Sequence, residues 1–87
     1  MPDHFVYIVR CVDGTLYTGY TTDPDSRVKM HNEGRGAKYT RGRTPVTLQY
    51  LQMKKRKGEA LARELQIKRM SREAKLALCR EANRSSR

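Results

Sequence analysis

The sequence is short of the groups that staple, cross membranes or enclose ligands. Its only cysteines, Cys11 and Cys79, stand near opposite ends of the chain. Neither lies in a CxxC pair, and no histidine sits at metal-ligand spacing from either. That excludes a cysteine metal cluster, leaves a disulfide possible but unsupported, and predicts two ordinary reduced, buried or half-buried residues. There is no run of 18 apolar residues, so no membrane span is expected. The opening Met1-Pro2-Asp3-His4 lacks the basic-then-apolar pattern of a secretory signal, which makes a cytoplasmic location the expectation. Hydrophobic residues are only 37% of 87. A chain of this size buries little more than ~60% of its unfolded surface, so one small domain is expected and a large enclosed pocket is not. Acidic residues are scarce as well, 9 against 19 basic ones, which leaves a formal net charge of +10. Such a charge selects partners rather than folds. It favours a polyanion, nucleic acid first and an anionic membrane surface second.

What is present reads as an ordered set of elements. Residues 4–12 are rich in β-branched and aromatic types and predict a strand. Asp13-Gly14 is a turn signal, and Thr15 to Tyr20 predicts the returning strand. Thr22 or Asp23 can cap a helix that has Pro24 in its first turn. This helix is expected to end near Asn32 or Glu33, with Gly34 just past it. Residues 34–45 read as a loop carrying three glycines and the bases Arg35, Lys38, Arg41 and Arg43. Val46 to Met53 alternates as a third strand, with Val46, Leu48 and Tyr50 expected on one face. A helix is expected over about 58–70 and another over 72–83, with Ser71 as a possible N-cap between them. The order β-β-α-β-α-α predicts an α+β fold, a three-stranded antiparallel or mixed sheet with flanking helices. The expected domain covers residues 1–83, followed by a frayed tail at 84–87.

Polar residues placed where apolar ones belong are the most informative feature. With Ala60 set at zero and ~100° per residue, Leu61 falls near ~100°, Leu65 near ~140° and Ile67 near ~−20°. Glu64 lands at ~40° and Lys68 at ~80°, inside that apolar stripe. A carboxylate there needs a cation, a hydrogen-bond network or a function; alternatively Glu64 and Lys68 form a solvated i,i+4 pair. Arg27 and His31 share one face of the first helix and can bind phosphate, or can be a rim pair packed by their aliphatic parts. In the hairpin, a two-residue loop would put Tyr7 and Tyr17 on opposite faces. A three-residue loop, Val12-Asp13-Gly14 with Gly14 left-handed, would put Tyr17 opposite Val9 and on Tyr7's face. Glycine in the third position favours the second arrangement. Two tyrosines on one face can equally be packing with wet hydroxyls. Together, Tyr7, Tyr17, Arg27, His31 and Glu64 supply proton-transfer groups, a phosphate clamp and a carboxylate for a hard metal. Those are the parts for metal-assisted phosphodiester hydrolysis.

These residues stand in an order that resembles the GIY-YIG nuclease superfamily, especially its small, stand-alone, single-domain (YhbQ-like) branch. The resemblance rests on Val6-Tyr7-Ile8-Val9, Tyr17-Thr18-Gly19-Tyr20-Thr21, Arg27 with His31-Asn32, Gly36-Ala37-Lys38-Tyr39-Thr40, Arg43-Thr44-Pro45, and Glu64 within residues 60–71. It covers about residues 5–78. The first motif's Gly is Val6 here and the second motif's Ile is Thr18; neither change removes a proposed chemical group. The resemblance implies a β-β-α-β-α-α domain with one divalent ion, Mg²⁺ or Mn²⁺, on Glu64. It implies Tyr7 as general base for the attacking water, with Tyr17 orienting water or phosphate or sharing that role. Arg27 would stabilise charge on the phosphate, and His31 would hydrogen-bond a tyrosine hydroxyl. Since a free tyrosine has a pKa of about 10, a tyrosine base needs positive charge beside it.

The remaining bases are candidates for phosphate contacts. They are Arg35, Lys38, Arg41 and Arg43 in the loop, and Lys54, Lys55, Arg56 and Lys57 before the second helix. The second group also reads as a solvated turn or a localisation signal. Tyr39 can stack on a base or can anchor the loop. The leading expectation is a metal-dependent, structure-selective rather than sequence-selective endonuclease, monomeric, acting on DNA in preference to RNA, with no membrane partner. The alternatives are a non-catalytic basic nucleic-acid-binding module and a protein-interaction domain whose charge serves solubility.

Overall fold

The computed structural model describes residues 3–85, with side chains through residue 82. The elements follow the expected order: β1 (His4–Arg10), β2 (Leu16–Thr21), α1 (Pro24–Asn32), β3 (Thr47–Lys54), α2 (Lys57–Lys68) and α3 (Arg72–Ser85). A short 3₁₀ turn, Lys38–Thr40, interrupts the loop before β3. The strands form one sheet in the order β2-β1-β3, and both pairings are antiparallel. α3 begins where Ser71 accepts a hydrogen bond from the Ala74 amide. It runs through Ser85, past the point where the tail was expected to start; the last two residues of that tail lie outside the described residues.

β1 is central, so its side chains must be apolar on both faces. Val6 and Ile8 point to one face, where Ala60 and Ile67 of α2 and Cys79 of α3 complete a core. Tyr7, Val9 and Cys11 point to the other, with Val46, Val28 of α1 and Leu48. Both cysteines are buried and free. No helix is long and apolar enough to cross a membrane among the described residues.

Two expectations about faces need correction. Val46 and Leu48 do share a face, but Tyr50 does not. The register slips between Ile8, opposite Tyr50, and Val9, opposite Leu48. The extra residue, Gln49, is a bulge that turns Tyr50 to the α2–α3 side. The apolar stripe of α2 is also narrower than the helical wheel suggested. Ala60 and Ile67 are fully buried, whereas Leu61 is 41% and Leu65 50% exposed. α3 packs on the same sheet face, so α2 seats only the arc around Ala60 and Ile67. Glu64 therefore flanks the buried arc instead of lying in its middle.

Candidate active site

Tyr7 is set by its neighbour across the sheet. It pairs with Gly19 of β2. A Cβ on residue 19 would lie 2.3 Å from the Tyr7 hydroxyl, so the bare glycine is what lets the ring lie over the β2 backbone. The ring is buried, 1% exposed. Tyr17 pairs with Val9, as a three-residue hairpin loop requires. The loop closes through the Gly14 amide to the Cys11 carbonyl at 2.9 Å, with Gly14 at φ +87°. Tyr7 and Tyr17 consequently share a face, with ring centroids 6.4 Å apart.

α1 brings the next two groups. Asp23 caps its first turn by accepting from the Ser26 amide, and Pro24 opens the helix. One turn apart on the sheet-facing side come Arg27 and His31. His31 is fully buried rather than a rim residue. Its Nε2 shares a 2.8 Å hydrogen bond with the Tyr7 hydroxyl. Arg27 Nε donates to the same hydroxyl oxygen at 3.4 Å. The far ring nitrogen, Nδ1, lies 2.8 Å from Thr40 Oγ1. Thr40 is itself buried, and its hydroxyl donates to the Ala37 carbonyl at 2.9 Å. Gly36 closes this seat, since a Cβ there would fall 2.2 Å from Nδ1.

Burial controls the electrostatics. It raises the Tyr7 pKa; hydrogen bonding and charge from Arg27 oppose it, and Tyr17 and Glu64 add smaller upward pushes. Burial lowers the His31 pKa, and the Arg27 charge lowers it further. The pair therefore rests as neutral tyrosine beside neutral histidine, with a guanidinium at the shared oxygen.

A ladder of rings leads from this pair to the surface. Tyr17 meets the edge of His31 at 5.4 Å and stacks on Tyr39 at 5.9 Å. The Arg43 guanidinium sits 4.5 Å from the Tyr39 centroid. Arg43 also pairs with Asp13 of the hairpin loop at 3.0 Å, and its carbonyl accepts from the Val12 amide. Tyr39 thus anchors its loop while remaining 44% exposed.

Glu64 enters from α2. It is close enough for its charge to act on Tyr7. Its carboxylate pairs with Lys68 at 3.4 Å, the i,i+4 contact expected from the sequence. No group of three or more His, Cys, Asp or Glu side chains gathers to hold a metal among the described residues. A single partly buried carboxylate fits Mg²⁺ or Mn²⁺, hard ions that keep several waters and complete their shell with substrate phosphate. It does not fit a closed, all-protein metal cage.

The surface bases divide into two groups. Lys38 and Arg41 are exposed on the loop beside Tyr39, and Arg35 pairs with Glu33. Lys54, Lys55, Arg56 and Lys57 lie at the other end of the sheet, where Lys54 pairs with His4. The structure therefore brings Tyr7, Tyr17, Arg27 and His31 into contact, adds Tyr39 and Arg43, and leaves the 54–57 run apart. Sequence reasoning gave no role to Thr40, Gly36 or Asn32. All three stand in quoted motifs, Asn32 directly after His31. Its side chain holds both the amide and the carbonyl of Val46, at 2.6 and 3.3 Å, tying α1 to the approach of β3.

Comparison with known proteins agrees with this geometry. The family described as the GIY-YIG catalytic domain matches residues 3–77. A UPF0213 protein of Staphylococcus aureus is 56% identical over 81 residues, covering 93% of this chain and 99% of its own. The solution structure of a UPF0213 protein from Bacillus halodurans superposes with a TM-score of 0.57 at 50% identity, over 87% of this chain and 81% of that one. The solution structure of a protein from E. faecalis gives 0.60 at 38% identity, over 86% and 80%. With its motifs in register on this sheet and the family match spanning most of its length, the chain belongs to the GIY-YIG family, a family of nuclease domains, among its small UPF0213 members.

Proposed function

We propose that this protein is a metal-dependent endonuclease that hydrolyses phosphodiester bonds in DNA, selecting structure rather than sequence. One observation carries the reading: the Tyr7 hydroxyl is bonded to His31 Nε2 at 2.8 Å and to Arg27 Nε at 3.4 Å. A water attacking phosphorus must lose a proton as the P–O bond forms. Tyr7 takes that proton while its own passes to His31, because a buried tyrosine with a raised pKa does not wait as tyrosinate. Arg27 faces the charge that develops on the phosphate. The bond from phosphorus to one ester oxygen breaks, and that oxygen takes a proton from solvent. Tyr17 orients water or phosphate beside Tyr7. Glu64 would hold the Mg²⁺ or Mn²⁺ ion, whose charge stabilises the phosphoryl oxygens when it is bound. Lys38 and Arg41 contact the backbone. Selection by nicks, branches or single strands is part of this reading.

The test is a panel of labelled branched, nicked and single-stranded DNA and RNA with each ion. Cleavage is expected for DNA structures and is expected to disappear in Glu64→Ala. The Glu64–Lys68 pair favours a second reading, a basic binding module with no chemistry. That reading predicts DNA binding without cleavage, unchanged by Glu64→Ala.

A further inference from the structure

The hydrogen bonds around His31 favour one tautomer, the one that pairs the Thr40, Nδ1 and Tyr7 hydrogens together. The Thr40 hydroxyl has one hydrogen. Its oxygen lies 2.9 Å from the Ala37 carbonyl, which can only accept, and 2.8 Å from His31 Nδ1. With that hydrogen on the carbonyl, Nδ1 must carry its own and donate it to Thr40 Oγ1. A neutral imidazole has a single N–H, so Nε2 is bare and accepts from the Tyr7 hydroxyl at 2.8 Å. Tyr7 Oη then donates to His31 and accepts from Arg27, and its second lone pair stays open for the attacking water.

The other tautomer fails at Tyr7. If Nε2 carried the hydrogen, it and Arg27 would both donate to the tyrosine oxygen. The phenolic hydrogen would be left without a protein acceptor on a residue only 1% exposed, a costly loss in a buried place. The Ala37 amide points at Nδ1 from 3.4 Å, too long to outweigh the 2.8 Å bond to Thr40. Gly36 keeps the seat tight, because any Cβ there would strike the Nδ1 edge of the ring.

From this geometry we propose that Thr40 is a positioning residue that fixes His31 in the Nδ1–H form and so presents bare Nε2 to Tyr7 as the proton acceptor. The functional half of the inference rests on the nuclease reading given above. As water loses its proton to Tyr7 Oη, the Tyr7 hydrogen moves to Nε2. The resulting imidazolium still donates its Nδ1–H to Thr40 and later returns the extra proton to solvent. Thr40 touches no substrate and acts only through His31.

Two measurements test this. The first is the ¹⁵N spectrum of ring-labelled histidine in the native chain, with His31 assigned by the loss of the His4 signals in His4→Gln. Near pH 7.5 it should show protonated Nδ1 and unprotonated Nε2 for His31; protonated Nε2 would overturn the proposal. It needs no cleavage, so a correct tautomer in a protein that cuts nothing would count against the nuclease reading and not against this one. The second compares Thr40→Val with Thr40→Ser. Valine should lose the Nδ1–H signature and lower kcat roughly 10- to 100-fold at similar KM, up to the low end of the ~10²–10⁴ that acid–base catalysis supplies. It should also move the acid limb of the pH profile, and serine should restore all three. A valine variant that keeps the native tautomer, or one that keeps both kcat and the pH profile, would refute the assignment.

Discussion

Tyr7 and His31 are visible as types in the sequence, but their protonation is decided by burial. His31 has its pKa pushed below the ordinary 6.5. In the pH range between its folded value and 6.5, the unfolded chain binds more protons, so stability falls as pH drops below 6.5. Denaturation midpoints measured from pH 7.5 down to pH 5 should fall, and His31→Gln should flatten that dependence. The acid limb of cleavage should likewise lie below pH 6.5, since the reaction needs neutral His31. Thr18 shows a different residue-scale effect. It stands where the family motif has Ile, is 3% exposed, and its Oγ1 has no hydrogen-bond partner in the structure. Thr18→Val removes that hydroxyl at nearly constant shape and should stabilise the fold by about 1 kcal/mol in denaturant titration. At this scale the sequence showed which chemical groups are present. It could not show that His31 is enclosed, because its cover comes from Gly36 and Thr40 in a loop without periodic pattern.

Among the elements, the hairpin register was legible to the residue, although β1 ends at Arg10 and not at residue 12. Glycine at the third loop position demanded a left-handed bulge, and that fixed Tyr17 opposite Val9. The β3 register was not legible, because the alternation of Val46, Leu48 and Tyr50 runs through Gln49 with no glycine or proline to mark a bulge. The α2 stripe was misjudged for a physical reason too. A helical wheel ranks hydrophobicity but does not know that α3 takes part of the same sheet face. α1 presents the opposite case, since its apolar side is slight and its placement depends on polar clamps. Asn32 holds the buried Val46 at both backbone groups. Asn32→Ala strands those groups and should cost ~1–3 kcal/mol, read as a lower midpoint in thermal unfolding. Because α1 carries Arg27 and His31, cleavage should weaken in the same variant even below its melting temperature.

For the whole molecule, the +10 charge resolves into places. Arg27 lies at the site and Arg43 is tied to Asp13 and Tyr39. Lys38 and Arg41 are exposed beside the ring ladder, and the 54–57 run lies toward the His4 end of β1. Arg41→Ala should therefore weaken binding to all duplex sequences alike and reduce the log–log salt slope by about one, as measured by fluorescence anisotropy.

The central claim is that Tyr7 does the proton transfer, and single-turnover cleavage of the best DNA structure by wild type and Tyr7→Phe tests it most directly. Phenylalanine keeps the ring in its seat over Gly19 and removes only the hydroxyl. The rate should fall by ~10²–10⁴ with DNA affinity unchanged. An undiminished rate in Tyr7→Phe would contradict it.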